Sequence, residues 1–225
     1  MPVRKIPRSR RSLTGRVAKR TREDSSMFES SLERDLFIIL DFDSSVAGFE
    51  EQPLRISFTD DQGYPHTYIP DVLIHYHPDS ATNRQRPPLL GEVKYRQDLF
   101  DNWKELKPKF KAARAFSREQ GWQRFRIFTE NEIRTPYLYN AKFLRGFVNI
   151  EHEQDEIDML LGTLSALHKT TPHSLLLACS DNEMRRAELM PSLWRLVAKN
   201  CIGCDLDERL TMESPIWPIS SQAVP

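Results

Sequence analysis

The chain has 225 residues, 39% of them hydrophobic, with 32 Lys and Arg balanced by 32 Asp and Glu. That length holds one large or two small domains with real cores, and the lack of any apolar run of about 18 residues excludes a membrane span. Three cysteines, an odd number, argue against a disulfide framework and for a reducing cytoplasm, and no apolar stretch follows the basic N-terminus as a secretory signal requires.

The zero net charge hides an uneven distribution. Residues 1–22 carry nine basic side chains (Arg4, Lys5, Arg8, Arg10, Arg11, Arg16, Lys19, Arg20 and Arg22) and no acid. Such a segment buries too little apolar surface to order itself and is expected to form a flexible arm over residues 1–24. It would be drawn to a polyanion with a strong salt dependence. The bland alternative is a solvated tail with no partner.

A helix is expected next, with Phe28, Leu32, Leu36, Phe37, Ile39 and Leu40 on its apolar face and Ser25 or Ser26 as cap. Glu33 lies at the edge of that face, where a carboxylate is either a ligand or a snorkelling edge residue; Glu29, one turn earlier, competes for the role. Beyond Asp43-Ser44-Ser45 and Gly48 the chain turns extended. Leu54, Ile56 and Phe58 alternate through a strand, Asp60-Asp61-Gln62-Gly63 reads as a hairpin turn, and a return strand is expected over His66–Tyr76.

Asp71 falls on the same face of that return strand as Ile69 and Leu73. An unpaired carboxylate there costs several kcal/mol to bury, so a metal or a cation is expected beside it. Pro70 implies an interrupted ladder. His75 and His77 tempt as metal ligands but lie past this point, near a polar loop over residues 77–88. A third strand follows at Leu89–Tyr95. Side chains alternate faces along a strand, so Leu90, Glu92 and Lys94 project together. A carboxylate and an ammonium side by side, joined by Asp71 from the preceding strand, suit a hard divalent cation and a phosphodiester.

Trp103, Leu106, Phe110 and Ala113 then recur at helical spacing as core residues, with Pro108 kinking the helix or restarting it and Gly121 closing it. A strand over Phe125–Thr129 after a crossover helix implies a parallel neighbour, hence an α/β fold with a mixed sheet flanked by helices. A composition break at Glu151–Glu156 marks a second, helical region, giving expected domains of 25–150 and 151–225. In it, Ile157, Leu160, Leu161, Leu164 and Leu167 form one face, and Thr171-Pro172 starts a short helix carrying Leu175–Leu177. Ser180 or Asp181 caps another helix, and Pro191 opens a further one. Short helices followed by a brief hairpin outline a winged helix, a fold that docks either nucleic acid or protein. Cys201 and Cys204 suggest zinc, but a structural site needs four ligands, and only Cys179 and His173 lie near in sequence.

These segments together resemble a known family. Gly91-Glu92-Val93-Lys94 after Ile69-Pro70-Asp71 has the pattern of the PD-(D/E)xK nucleases. Thr14–Val17, Ser30–Val46, Glu51-Gln52-Pro53, Tyr68–Asp71, Glu92–Lys94 and Ile127–Glu130, in that order, resemble TnsA, the endonuclease of heteromeric transposases, over roughly residues 14–150. The resemblance implies a restriction-endonuclease-like core and places the family's S-x-L-E glutamate on Glu33. It places the remaining catalytic positions on Asp71, Glu92 and Lys94. Some relatives carry Gln where Glu92 stands. The resemblance further implies cleavage at the 5′ ends of a transposable element, alongside a TnsB-type transposase and a TnsC-type AAA+ ATPase bound by the C-terminal domain.

In that reading Asp71, Glu92 and Glu33 hold one or two Mg²⁺ ions, an oxygen-seeking cation. Lys94 orients or deprotonates the attacking water, or neutralises transition-state charge. Arg4, Lys5, Arg8, Arg10, Arg11, Arg16, Lys19 and Arg20 are the expected contacts to double-stranded DNA. Two other classes stay open: a restriction or repair nuclease acting without transposase partners, and a non-catalytic assembly subunit.

Overall fold

The computed structural model describes residues 15–18, 25–28 and 30–219. The chain divides into two compact units, Met1–Arg134 and Thr135–Pro225. The division comes before the composition break that suggested 150/151. Its physical basis is Asn140, fully buried, whose side chain donates to the carbonyls of Leu206 (2.9 Å) and Glu208 (2.7 Å) and accepts from the Leu210 amide (3.0 Å). Residues 135–150 are thereby fastened to the C-terminal unit, whatever their composition resembles.

The first unit opens with β1 (Gly15–Ala18), paired antiparallel with β2 (Ser25–Phe28). Both expectations for this stretch change. The arm drawn to residue 24 includes a strand, and Ser25 and Ser26 belong to a strand and do not cap a helix. The cap is Ser30, whose hydroxyl accepts the Glu33 amide at 3.2 Å, and α1 (Ser31–Phe42) follows with Leu32, Leu36, Phe37 and Leu40 buried as its pattern demands.

The chain then forms β3 (Val46–Glu51), a strand without apolar alternation, and the hairpin of β4 (Ile56–Thr59) and β5 (Pro65–Tyr68). The predicted turn holds: Gly63 adopts φ +87° and donates to the Asp60 carbonyl at 3.1 Å. The single return strand does not. Pro70 offers no N–H to a ladder, so the strand breaks after Tyr68 and β6 (Val72–Tyr76) pairs elsewhere, with β3. β7 (Leu89–Val93) follows, then α2 (Arg96–Asp101), α3 (Trp103–Glu119), β8 (Arg126–Phe128) and the short α4 (Glu130–Ile133).

The result is a four-stranded mixed sheet of order β3-β6-β7-β8, antiparallel except for the parallel pair β7–β8 predicted from the crossover. On one face Leu73 and Leu90 join Leu106, Phe110 and Ala113 of α3 in a core with Ile56, Tyr68 and Phe125. On the other, Phe49 of β3 stacks on Phe37 of α1 at 5.3 Å. Pro108 neither restarts nor ends α3. It removes the helical partner of one carbonyl only, that of the solvent-exposed Lys104. Trp103 departs from its expected core role, remaining 45% exposed while Phe110 is 3% exposed.

Gly91 is the tightest point of the sheet. A Cβ there would lie 2.7 Å from the buried Phe128 ring and 3.0 Å from Val72. Gly91→Ala should therefore destabilise the first unit by about 1–3 kcal/mol, the usual cost of overpacking. Urea unfolding followed by circular dichroism would read this as a lower midpoint at unchanged slope.

The second unit holds α5 (Pro136–Leu144), a 3-10 turn at Arg145–Phe147, α6 (Gln154–Leu167), α7 (Pro172–Cys179) and α8 (Glu183–Ala198). It ends in an antiparallel pair, β9 (Ile202–Cys204) and β10 (Ile216–Pro218). Thr171 caps α7 as its Thr-Pro signature predicted. The next helix is capped by Asn182 instead of Ser180 or Asp181, and it runs through Pro191 without a break, because the carbonyl deprived of a partner belongs to the exposed Ala187. No described helix is long and apolar enough to cross a membrane.

Candidate active site

Two elements fix the acidic pair. Asp71 occupies the bend between Pro70 and β6, and its Oδ2 accepts the Val93 amide at 2.7 Å, clamping the start of β6 to the end of β7. Glu92, on β7, is 2% exposed. Alternation along the strand turns it toward α3, away from the face where Gly91 meets Phe128.

Burying an ionised carboxylate costs several kcal/mol unless its oxygens are satisfied, and at Glu92 both are. The Tyr68 hydroxyl donates to Oε2 at 2.5 Å, and the Lys109 ammonium donates to Oε1 at 3.1 Å. Lys94 places its Nζ 3.8 Å from the same Oε1. Lys109 also lies over the rings of Tyr68 and Phe110, at 4.9 and 5.3 Å from their centroids.

The electrostatics of the cluster follow from this crowding. Burial, then the charges of Glu92 and Glu33, push the Asp71 carboxyl well above the ordinary carboxylate range, against the opposing pull of Lys94 and the Val93 amide. Burial draws the Lys94 ammonium down, but the charges of Asp71, Glu92, Glu33 and Asp98 outweigh it and leave it above the ordinary lysine value. Burial raises the Tyr68 phenol too, with Glu92 and Asp71 adding to the effect, so it remains a hydrogen-bond donor.

Glu33 enters from α1. Its amide donates to Ser30 Oγ at 3.2 Å, and the Ser30 hydroxyl donates back to Oε1 at 3.0 Å, so the capping serine also orients the carboxylate. Its charge is nevertheless felt at both Asp71 and Lys94. An Arg134 network ties this first helical turn to the end of β7. The Arg134 guanidinium donates to the Tyr95 hydroxyl (2.9 Å), to Ser31 Oγ (3.2 Å) and to Asp35 Oδ2 (3.4 Å), and the Ser31 and Tyr95 hydroxyls lie 3.1 Å apart. Tyr95 directly follows Lys94, so the sequence neighbour of one charged group anchors the helix bearing another. Glu29, the rival of Glu33, lies outside the described residues.

The chemistry of the donor set suits a hard divalent cation: Asp71, in the bend before β6, and the buried Glu92 of β7 carry carboxylates that repel one another, with a third charge nearby. No group of three or more His, Cys, Asp or Glu side chains is already gathered as a metal cage among the described residues. Two lysines are the cations that Glu92 meets. His75 is engaged elsewhere, its Nε2 2.7 Å from Glu50 Oε1, and His77 is exposed. Cys179, Cys201 and Cys204 are free thiols. Of the basic residues expected at DNA, only Arg16 falls in a described strand; Arg4, Lys5, Arg8, Arg10, Arg11, Lys19 and Arg20 lie outside the described residues.

Sequence reasoning missed two members of the cluster. Lys109 left a signal, since it sits three residues after Leu106 and four before Ala113, on the buried stripe of α3 where a lysine is out of place. Tyr68 left none beyond its nearness to Asp71, because a tyrosine on a hairpin strand is ordinary.

Comparison with known families gives two adjoining matches. The family model described as TnsA-like endonuclease N terminal matches residues 43–130, and that described as TnsA endonuclease C terminal matches residues 132–206. Asp71, Glu92, Lys94, Tyr68 and Lys109 all lie in the first stretch; Glu33 precedes it. A search of curated proteins found no match.

Proposed function

The chain belongs to the TnsA endonuclease family, a transposition-related nuclease by that membership, and on this premise we propose that it cuts the 5′ ends of a transposable element with the aid of Mg²⁺. The observation that carries the site is the gathering of Asp71, Glu92 and Lys94 at the ends of β6 and β7, with Lys94 Nζ 3.8 Å from Glu92 Oε1. A restriction-endonuclease-like reading of the mixed sheet is supported by the same arrangement.

Asp71 and Glu92, with Glu33 as the third carboxylate, would hold one or two Mg²⁺ ions. A bound Mg²⁺ supplies a polarised phosphate oxygen and a water acidic enough to attack near neutral pH. Tyr68 and the Val93 amide fix one oxygen each of Glu92 and Asp71, so these carboxylates are oriented before DNA arrives. Lys94, whose ammonium form the surrounding carboxylates favour in the metal-free cluster, would offset the negative charge that builds on the phosphate. The basic residues Arg4, Lys5, Arg8, Arg10, Arg11, Arg16, Lys19 and Arg20 would contact DNA phosphates. The helices α6, α7 and α8 and the terminal strand pair, within residues 151–225, are read as a winged-helix-like module docking a TnsC-type ATPase, beside a TnsB-type transposase, on the cytoplasmic nucleoid.

The test is to map strand breaks at the element's ends with the cognate transposase, the ATPase and Mg²⁺, comparing wild type with Asp71→Asn. Loss of the 5′-end breaks alone, with 3′-end cutting retained, supports the proposal. Unchanged breaks on both strands would assign the nuclease to another subunit and leave this chain as an assembly factor.

A further inference from the structure

Glu92 carries a closer cation than the lysine of its own motif. Lys109 Nζ stands 3.1 Å from Oε1 and donates a hydrogen bond to it, against 3.8 Å for Lys94. The two lysines differ in what else they reach. Lys94 responds to the charges of Asp71, Glu92, Glu33 and Asp98 together, as befits a group facing the whole cluster. Lys109 approaches from α3 across the rings of Tyr68 and Phe110, on the side of Glu92 where the sheet core lies. Its side chain is 22% exposed and that of Glu92 is 2% exposed, so the pair is only weakly screened by solvent.

We infer that Lys109 is an internal cation occupying at Glu92 the place that a divalent ion would take, so that metal entry and the departure of Lys109 from Oε1 are coupled. The inference rests on the proposed metal-dependent site. Two physical arguments carry it. First, the Tyr68 hydroxyl takes up one lone pair of Oε2, and the Lys109 ammonium donates to Oε1, so a metal binding through Oε1 meets Lys109 there. Second, a buried carboxylate needs a compensating positive charge at all times. Lys109 supplies it when no metal is bound, and its four-carbon stem lets the ammonium swing off without moving the backbone of α3. The cluster is thus charge-compensated in both states, and the apparent metal affinity is reduced by the free energy of the Lys109–Glu92 contact.

Two cations excluding one another at a single oxygen is a coupling between binding events, and such couplings commonly amount to factors of about 5–150. The test titrates the full chain with Mn²⁺ alone, without DNA, using electron paramagnetic resonance to count free ion, for wild type, Lys109→Met, Lys109→Arg and Lys109→Met/Glu92→Gln. Thermal melting with and without Mn²⁺ is read in parallel. Lys109→Met should bind Mn²⁺ at least about fivefold more tightly than wild type, melt lower than wild type without metal, and gain more from its addition. Lys109→Arg restores the charge and should return the affinity to the wild-type value, and Glu92→Gln should erase the gain. Should Lys109→Met bind Mn²⁺ no better than a wild type that binds measurably, Lys109 is an orienting group and the displacement idea falls while the nuclease reading stands. If neither binds Mn²⁺ at millimolar concentration, both fall. Because Lys109→Arg conserves the charge, an affinity for it raised as far as for Lys109→Met would also overturn the inference even where the methionine variant folds poorly.

Discussion

Replacing Lys94 with methionine is expected to slow strand cleavage by a factor of about 10²–10³, the typical loss when one preorganised electrostatic group is removed from a transition state. The same factor should apply at every pH from 6.5 to 9. The reason is the charge state of Lys94. Burial alone would favour a neutral amine, but four surrounding carboxylates, Asp71, Glu92, Glu33 and Asp98, more than reverse that preference. In the proposed role Lys94 acts as a fixed positive charge, which contributes no titrating limb to the rate. Single-turnover cleavage as a function of pH distinguishes this from general-base catalysis, in which the wild type would show a limb that Lys94→Met abolishes. Mn²⁺ binding should survive the substitution, since the carboxylates remain and one competing positive charge is gone.

Asp71→Asn should do two opposite things at once: abolish cleavage and raise the melting temperature of the metal-free protein at pH 8. The amide keeps an oxygen for the Val93 N–H but gives up a negative charge enclosed beside Glu92 and Glu33. Relief of that repulsion should add about 1–2 kcal/mol, of the order seen when an unfavourable buried charge is removed. The gain should depend on pH in a definite direction. Below the ordinary value of 3.8, Asp71 is protonated in both folded and unfolded chains, and the wild type suffers no penalty. As pH rises, the unfolded carboxyl ionises first while the folded one keeps its proton, so the wild type loses stability until the folded group ionises as well. The asparagine variant has no such term. Its advantage should be larger at pH 8 than at pH 3, where Asp71 is protonated in both states, with melting followed in EDTA at both. An advantage of equal size at both would mean that packing, not charge, sets the difference.

This opposition of stability and activity bears on the reading of the site. A structural ion pair is arranged so that its charges are neutral in sum and its removal is costly. At Asp71 the arrangement is instead unfavourable to the resting fold, with a carboxyl pushed toward its neutral form by burial and by two like charges. Groups held in such environments concentrate at functional sites, where the strain is relieved by what binds. Glu92 illustrates the complementary case: at 2% exposure it is buried more deeply than Asp71, but Tyr68, Lys109 and Lys94 hold it satisfied. The contrast separates a group waiting for a partner from one already supplied with substitutes.

Much of the site could be read along the chain because it depends on local rules. Glu92 and Lys94 share a face since strand side chains alternate, and the structure brings them within 3.8 Å. The Asp60–Gly63 turn, the closing Gly121 and the parallel partner of β7 follow from equally short-range constraints. Element starts were less legible, as Ser25, Ser26 and Ser30 are chemically alike as caps and only the pairing of β1 with β2 decides among them. The helix after Arg134 went unread in the sequence: Pro136 opens it, but Thr135 makes no side-chain cap bond as Thr171 does, and its allegiance to the second unit rests on the buried contacts of Asn140.

By itself, then, the sequence determined the acid, acid and lysine of the candidate site, their order, and the alternation of strand and helix that carries them, because each is set within a few residues. Only the tertiary structure decided that Pro70 splits the return strand so that Asp71 lies in a bend clamped to Val93. It alone decided that Tyr68 and Lys109, 24 and 17 residues from Glu92, complete its surroundings. Those contacts join elements distant along the chain, and the burial that makes them strong exists only once the sheet and α3 have closed over the carboxylate.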